Sequence, residues 1–415
     1  MTRATSLAAF RTESRPVEAA ALARLKGLSR EFSGELSLSI HKNLAAVETE
    51  WRQFEQIADG TPFQTFEWLS AWQRNIGERG GVVPAIAVGR FADGNTAFII
   101  PLAVDPGRLM RRLCWLGQEL CDYNAPLLAR EFSERITPDR FLAAWRKLRA
   151  LMQADPELAH DWIEFEKMPQ TVGVQINPFI HLGVMRNANS AHITRLGGEW
   201  EAFYHAKRSS ATRRHDRAKR KRMAEFGDIR FMTAVGPDEI EKTFDTLWEQ
   251  KKWIFARKGI PDIFAKPGYR QFFLDFASNP QTRHLAHVSR VDIGTTCAAA
   301  NFAIVFGDCY YHVLSSYCDG RLTRHGPGTL HLRELLAHAI ALGLRQFDFT
   351  IGDDPYKLEW SDLRVDLYDF STAARWRGWP VSVMSAVRRR LKRFIKQTPI
   401  VWHLVCRIRA AVGPL

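Results

Sequence analysis

An aspartate between two phenylalanines is the first residue whose setting suggests chemistry. Asp348 lies in the run Phe347-Asp348-Phe349, and the alternation typical of a strand would direct the acid away from both rings. A carboxylate in this setting can take a proton from an amine or a hydroxyl, so we expect Asp348 to be a general base. The alternative is an ion pair with a neighbouring arginine, because structural pairs also gather acids.

The loop after this strand is crowded with polar groups. Asp353 and Asp354 precede Pro355, and Tyr356 and Lys357 follow it. A cluster of this kind can orient a substrate and exchange protons with it. The alternative is that the aspartates start a turn before the proline and that Tyr356 packs against the protein.

A second candidate site is the turn Arg-His-Gly-Pro-Gly-Thr-Leu at residues 324–330. It leads into a strongly patterned helix, and the free backbone N–H groups and dipole at a helix start attract anions. A pyrophosphate would fit there, whereas the alternative is an ordinary turn and helix cap. The candidate residues are Arg324, Gly326, Gly328, Thr329 and Leu330.

Asp122, Tyr123 and Asn124 form a third polar cluster, after a predicted strand and before Ala125-Pro126. Clefts between domains are common ligand sites, so these residues are candidates for binding an acceptor. Asp-Tyr-Asn before proline is also a competent turn, and the sequence leaves both interpretations open.

Several classes of function are disfavoured by the motifs. The thirteen histidines and six cysteines show no spacing typical of a metal site, so we expect no metal. Neither a Walker-type phosphate loop nor a nucleophile elbow occurs, which disfavours an NTPase and a serine hydrolase. The cysteine usage suits a reducing cytosol. Residues 1–35 read as a mobile leader, and no run of about 20 apolar residues predicts a transmembrane helix.

The net charge of +13 is concentrated in two segments of the 415-residue chain. Residues 207–222 hold nine basic residues against one acid, in a predicted helix over 198–227. This basic segment is a solvated face or attracts phosphate, and nucleic acid is disfavoured because no aromatic residue interrupts residues 207–222. Residues 375–415 hold ten basic residues and no acid. They predict a basic amphipathic helix that contacts an anionic membrane or docks on the preceding domain.

The order of predicted elements is repeated along the chain. Each half contains a strand, helices, three antiparallel strands, a helix and a further strand, and the second series begins near Ile193. We therefore predict an α/β (α+β) fold with two similar domains, each a mixed, mostly antiparallel sheet flanked by helices. Their expected bounds are 36–190 and 191–374, followed by the tail 375–415.

This order, and several sequence blocks, resemble a known family. The blocks are TPFQTFEWLSAWQ (61–73), LGQELCDYNAPLLA (116–129), RRHDRAKRKRMAEFG (213–227) and PGTLHLRELLAHAIALGLRQFDFTIGDDPYKLEW (327–360). They are similar to the GNAT acyltransferases, with the doubled organisation of Fem-type aminoacyltransferases. The sequence is identified as a member of the CelD-type acetyltransferase family of cellulose and exopolysaccharide biosynthesis, over residues 36–372.

The resemblance implies an acetyl-CoA or acyl-CoA cosubstrate held by the 324–330 turn, where Pro327 departs from the usual pattern because it cannot donate a hydrogen bond. It implies that Tyr356 protonates the leaving thiolate. From its place among the aspartates, Lys357 would position an anionic acceptor or offset their charge. Asp122, Tyr123, Asn124 and Asp353 would bind the acceptor, a sugar-derived or envelope precursor. Aminoacyl transfer from tRNA and a non-catalytic scaffold are the alternatives. We expect a cytoplasmic protein, with membrane contact at the inner face through its tail.

Overall fold

The structure, a computed structural model, describes residues 36–398. The predicted leader at 1–35 and the end of the predicted tail at 399–415 lie outside these residues. The described chain forms one long mixed sheet with helices packed on it, and a small two-stranded ribbon beside it.

The first part of the chain alternates strands and helices up to residue 176. Its elements are β1 (Ser37–His41), α1 (Glu48–Glu55), α2 (Phe66–Trp72), β2 (Val83–Arg90), β3 (Thr96–Asp105), β4 (Arg112–Trp115), β5 (Leu127–Leu128), α3 (Phe132–Arg135), α4 (Pro138–Ala154), β6 (Trp162–Pro169), β7 (Thr171–Val172) and β8 (Gln175–Ile176).

The second part begins with a long strand and ends with a long basic helix. Its elements are β9 (Met185–Arg195), α5 (Trp200–Lys207), α6 (Ser210–Ala224), β10 (Ile229–Thr233), α7 (Pro237–Lys258), α8 (Tyr269–Ser278), β11 (Ala286–Ile293), β12 (Thr296–Phe306), β13 (Cys309–Tyr317), α9 (Pro327–Ala341), β14 (Gln346–Ile351), α10 (Pro355–Trp360), β15 (Leu363–Ala373) and α11 (Trp379–Gln397).

The main sheet contains the same arrangement twice. Its strand order is β1-β2-β3-β4-β6-β15-β9-β14-β13-β12-β11-β10. In the first half β2, β3 and β4 pair antiparallel, and α4 then crosses over so that β6 pairs parallel to β4. In the second half β11, β12 and β13 pair antiparallel, and α9 crosses over to β14, which is parallel to β13. The predicted fold class, two GNAT-like units of mixed and mostly antiparallel sheet, is confirmed.

The repeat begins later in the second half than the sequence order predicts. The counterpart of β1 is β10, since both are followed by two helices and then pair antiparallel with the next strand. A start near Ile193 is therefore wrong, because β9, α5 and α6 have no equivalent in the first half. The expected domain boundary at 190/191 falls inside β9, and the division at that point stays a prediction.

Local capping sets the starts of two helices and accounts for a further difference from the predicted elements. The basic helix expected over 198–227 is divided into α5 and α6, because the Ser209 hydroxyl accepts a hydrogen bond from Thr212 N at 3.2 Å and starts a new helix. In the same way α2 begins at Phe66, since Thr65 is its N-cap and its side chain accepts from the Trp68 N–H. β15 has no clear signal in the sequence.

The two halves meet at an aromatic cluster around Trp68. This side chain, fully buried on α2, packs against Phe272 and Phe276 of α8, at ring-centroid distances of 4.7 and 5.0 Å. It also contacts Phe302 of β12 at 6.4 Å. Because α2 and α8 are the equivalent helices of the two units, each half covers the other's apolar surface, and the core is continuous between them.

Trp68→Ala should lower the free energy of unfolding by about 3–5 kcal/mol, because it leaves a cavity where the halves join. Urea unfolding followed by fluorescence and circular dichroism measures the change. Trp379→Ala, at a tryptophan that is 64% exposed, is the matched control and should cost no more than about 0.5 kcal/mol. Equal effects of the two substitutions would contradict the role of the cluster.

None of the helices within residues 36–398 is long and apolar enough to cross a membrane.

Candidate functional site

Asp348 is placed by the short parallel pairing between β13 and β14. The two strands pair only from Cys309–Gln346 to Tyr311–Asp348, although β13 continues to Tyr317. Phe347 and Phe349 enter an apolar cluster with α9, whereas Asp348 faces the other side of the sheet. The site therefore lies where the pairing of the two strands ends.

Asp348 is 2% exposed, and two groups form hydrogen bonds with its carboxyl. The Tyr123 hydroxyl lies 2.8 Å from each of its oxygens, and the Thr350 backbone N–H donates to Oδ1 at 2.7 Å. Burial raises the pKa of Asp348 to about 7, although the two hydrogen bonds and the Lys357 charge oppose the shift. The group can therefore gain and lose a proton near neutral pH.

Thr350 has a strained backbone that serves this contact. Its φ is +58°, which is costly for a β-branched residue. The bend aims its N–H at Asp348, and its hydroxyl donates to the His312 carbonyl of β13 at 3.3 Å. The sequence shows only a threonine in a strand and gives no signal of this conformation.

The predicted cluster Asp122-Tyr123-Asn124 lies beside Asp348, although it belongs to the first half. Lys167 braces this loop, since its ammonium donates to the carbonyls of Glu119 and Cys121 at 2.9 and 2.8 Å. Asn124 fixes the other end of the loop, with its side-chain amide donating to the Glu166 carbonyl at 3.0 Å.

Asp122 lies among lysine side chains of both halves. Burial raises the pKa of Asp122, whereas the charges of Lys167 and Lys357 lower it. The Oδ1 atom of Asn124 is buried without a hydrogen-bond partner among the described residues.

Two lysines from different elements complete the cluster. Lys357, on α10, is 5% exposed and donates to the Ile351 carbonyl at 2.7 Å. Burial lowers its pKa, and the charges of Asp122, Asp354 and Asp348 oppose this shift. Burial also lowers the pKa of Lys251, on α7, to about 8. The sequence analysis missed Lys251, because adjacent lysines in an amphipathic helix are normally solvated and only the tertiary packing makes one of them half-buried.

Two of the predicted residues lie apart from Asp348. Tyr356 packs against Phe349 at a ring-centroid distance of 6.4 Å, on the opposite face of β14, and burial raises its pKa. Asp353 bonds to His192 of β9 at 2.9 Å. Burial would raise the pKa of Asp353, but the bond and charge of His192 hold it below its ordinary value.

The 324–330 turn starts α9, as predicted, but it offers few backbone donors. Gly326 has a φ of +75° and its carbonyl accepts from the N–H groups of Thr329 and Leu330. Pro327 has no N–H, so Gly328 supplies the one backbone N–H of residues 326–330 without a partner in the described chain.

A cation lies beside this turn. The Lys219 ammonium on α6 would be 3.8 Å from a Cβ built on Gly326, so the missing side chain leaves room next to a positive charge. Arg324 and Thr329 are exposed, whereas Leu330 is buried in the core. The helix start, one free N–H and Lys219 together can hold a phosphate group.

No group of three or more His, Cys, Asp or Glu side chains within residues 36–398 is arranged to hold a metal ion.

The raised pKa of Asp348 predicts a pH-dependent contribution to stability. Between its ordinary value of 3.8 and about 7, the folded protein keeps a proton that the unfolded chain has lost, so the contribution is present at low pH and falls as pH rises through about 7.

The Asp348→Asn variant does not titrate at this position, so its free energy of unfolding should increase relative to wild type between about pH 4 and about pH 8. Urea titrations across this range measure the difference. A difference that is constant with pH would contradict the raised pKa.

The sequence of residues 210–358 matches the family described as "Acetyltransferase (GNAT) domain". This segment includes the 324–330 turn, Asp348 and Lys357, and it leaves out the 122–124 loop. No curated protein shows significant sequence similarity to the chain.

Solved structures share the fold at low sequence identity. FemX superimposes with a TM-score of 0.55 and 10% identity, over 80% of this chain and 96% of the FemX chain. A tandem GNAT protein from the clavulanic acid biosynthesis pathway has a TM-score of 0.44 and 12% identity, covering 82% and 99% of the two chains. L-PGS from Bacillus licheniformis has a TM-score of 0.44 and 12% identity, covering 80% and 97%. Residues 210–358 are thus similar to a GNAT acetyltransferase domain, within a fold shared with FemX.

Proposed function

We propose that this enzyme is an acyl-CoA-dependent N- or O-acyltransferase that acts on a sugar-derived or cell-envelope precursor. The observation that carries the proposal is the buried Asp348 carboxyl, with a pKa near 7, hydrogen-bonded to Tyr123 inside the cluster formed by both halves. The CelD-type resemblance supports an exopolysaccharide precursor as the acceptor.

Asp348 is the general base of the proposed reaction. Its carboxylate takes the proton from the acceptor amine or hydroxyl while that atom attacks the acyl carbonyl, and no covalent enzyme intermediate forms. The Tyr123 hydroxyl orients the carboxylate through its bonds to both oxygens. Lys357 and Lys251 place positive charge beside it, which suits an acceptor that carries an anionic group.

Tyr356 is the proposed general acid for the departing thiolate. Its raised pKa keeps the hydroxyl protonated at neutral pH, as an acid requires. Asp353, held by His192, would contact the acceptor from the edge of the cluster.

The start of α9 is the proposed site for the coenzyme phosphates. The Gly328 N–H and the helix dipole supply uncharged groups that bind an anion, and Lys219 and Arg324 supply positive charge. The bound thioester would provide the activated acyl group.

Free cysteines support a cytoplasmic location. Cys114, Cys121, Cys297, Cys309 and Cys318 are all unpaired in the described chain, which suits a reducing compartment.

A basic cavity favours a second candidate, Fem-like transfer from an aminoacyl-tRNA. The cavity has a volume of about 440 Å³ and is lined by Arg217, Arg220 and Lys221 of α6. It holds one acid, Asp228, and no aromatic ring for base stacking, so we rank this candidate below acyl-CoA. A non-catalytic scaffold in polysaccharide synthesis would bind neither donor.

Isothermal titration with acetyl-CoA tests the donor. We expect binding that weakens by about tenfold in Lys219→Ala, because one charge-assisted contact to a phosphate is lost. Lys242→Ala, at an exposed lysine on α7, is the matched control and should bind like wild type. Absence of binding would contradict the proposal, and binding of charged tRNA in its place would favour the Fem-like candidate.

The pH dependence of turnover tests the base. We expect kcat/KM to rise with pH and to level off above about 7, as Asp348 ionises. Asp348→Asn should lower kcat by about 10²-fold or more. In Tyr123→Phe the midpoint should move to higher pH, because the hydrogen bond that lowers the Asp348 pKa is removed. Full turnover in both variants, with an unchanged midpoint, would show that the roles are wrong.

The acceptor can be identified by a screen of CoA release against amino sugars, nucleotide sugars and lipid-linked precursors. Release that depends on one of these compounds and is lost in Asp348→Asn would identify it. Release with none of the three classes would contradict the proposed acceptor.

A further inference from the structure

The basic helix α11 docks on the sheet through its polar side. Ser385 donates to Glu164 of β6 at 2.7 Å, and Arg389 forms ion pairs with Glu164 and, at 3.4 Å, with Glu166. The Arg389 guanidinium also lies 3.8 Å from the Asp369 carboxylate of β15.

Two further contacts fix the orientation of α11. At its far end Lys396 bonds to Asn189 of β9. Just before its start, a Cβ on Gly378 would lie 2.0 Å from the carbonyl of Asp161, the residue that precedes β6, so the chain approaches the sheet closely where it enters α11.

The apolar side of α11 consequently faces away from the protein. Six large apolar residues form this outward stripe, each between 41% and 65% exposed: Trp379, Val383, Met384, Val387, Leu391 and Phe394. The spacing of i, i+4, i+8 and i+11 from Val383 to Phe394 places them on one face over about three turns. Trp376, just before the helix, is 85% exposed. A globular protein that contacts neither a membrane nor a partner rarely exposes so continuous an apolar face.

Basic residues border the stripe on both sides. Arg388 and Lys392 lie along one edge and Arg390 along the other, and all three are exposed. The segment 375–398 contains no acid. Arg389, which points the opposite way, is neutralised by the sheet, so the charge that remains available surrounds the apolar stripe.

We propose that the outward stripe of α11 is a docking surface for an anionic lipid bilayer, into which the apolar residues insert while Arg388, Arg390 and Lys392 contact the lipid phosphates. Tryptophans at one end and an apolar face bordered by cations are the features of helices that lie in the bilayer interface. A second copy of the chain fits less well, because stripe-to-stripe packing would bring six exposed cations together with no acid on either helix. This inference does not depend on the acyl-transfer activity.

Co-sedimentation of the full chain with vesicles tests the proposal. We expect binding to vesicles of phosphatidylcholine mixed with phosphatidylglycerol, weaker binding to phosphatidylcholine alone, and a loss at high salt. Leu391→Glu should weaken vesicle binding by about tenfold or more, since it removes a leucine that inserts into the bilayer and adds a negative charge that the anionic lipids repel. The matched control is Leu342→Glu, at the end of α9, where the leucine is 53% exposed against 56% for Leu391. It should bind like wild type.

Two control measurements separate this proposal from loss of folding and from the proposed function. Leu391→Glu should keep the wild-type unfolding curve and, without vesicles, the wild-type acyl-CoA binding. Equal vesicle binding by wild type and Leu391→Glu would overturn the proposal. A dimer in sedimentation equilibrium that Leu391→Glu abolishes, without vesicle binding, would assign the stripe to a second copy. Vesicle binding that appears only after deletion of residues 399–415 would show that the stripe is the docking surface for that segment and not for a bilayer.

Discussion

The burial of one carboxyl group between the two halves of the sheet imposes most of the local structure around it. A buried carboxyl without partners costs several kcal/mol, so Asp348 needs hydrogen bonds from both sides. Tyr123 meets that need from the first half, and this requires the 119–124 loop to be held by Lys167. Thr350 meets it from the second half at the cost of a strained φ. The site therefore exists only when both halves are assembled.

Pairing of charges also determines which side of α11 contacts the sheet. Glu164, Glu166 and Asp369 lie together at the middle of the sheet, where Arg112 of β4 pairs with Glu164 and Arg389 of α11 offsets the remaining charge. Most amphipathic helices dock through their apolar side. In this protein the acids of β6 and β15 select the polar side, and this choice leaves the apolar side in contact with solvent. On α6, by contrast, Arg220 pairs with Glu334 while Lys219 stays beside the Gly326 turn.

Much of the fold could be predicted from periodicity, whereas the site could be predicted only in part. The alternation around Asp348 and the glycines before α9 are local signals, and both elements formed as expected. The contact between Tyr123 and Asp348 joins residues 225 positions apart, and no local pattern encodes it. Lys251 and Thr350 were missed for the same reason, since tertiary packing alone makes the lysine half-buried and strains the backbone of the threonine. The start of the repeat was misplaced because β9 has a strand pattern but no counterpart in the first half.

The position of β15 determines when the molecule can be completed during synthesis. This strand lies between β6 and β9, and its residue Tyr368 pairs with Met168, about 200 residues earlier in the chain. Until the ribosome has released residues 363–373, β6 presents an open edge with unpaired backbone groups. Closure of so distant a pairing is slow compared with formation of the local hairpins β2-β3 and β11-β12. The nascent chain therefore carries two partly folded sheets with facing edges, which makes this edge the main hazard for misassembly and the natural place for a chaperone to act.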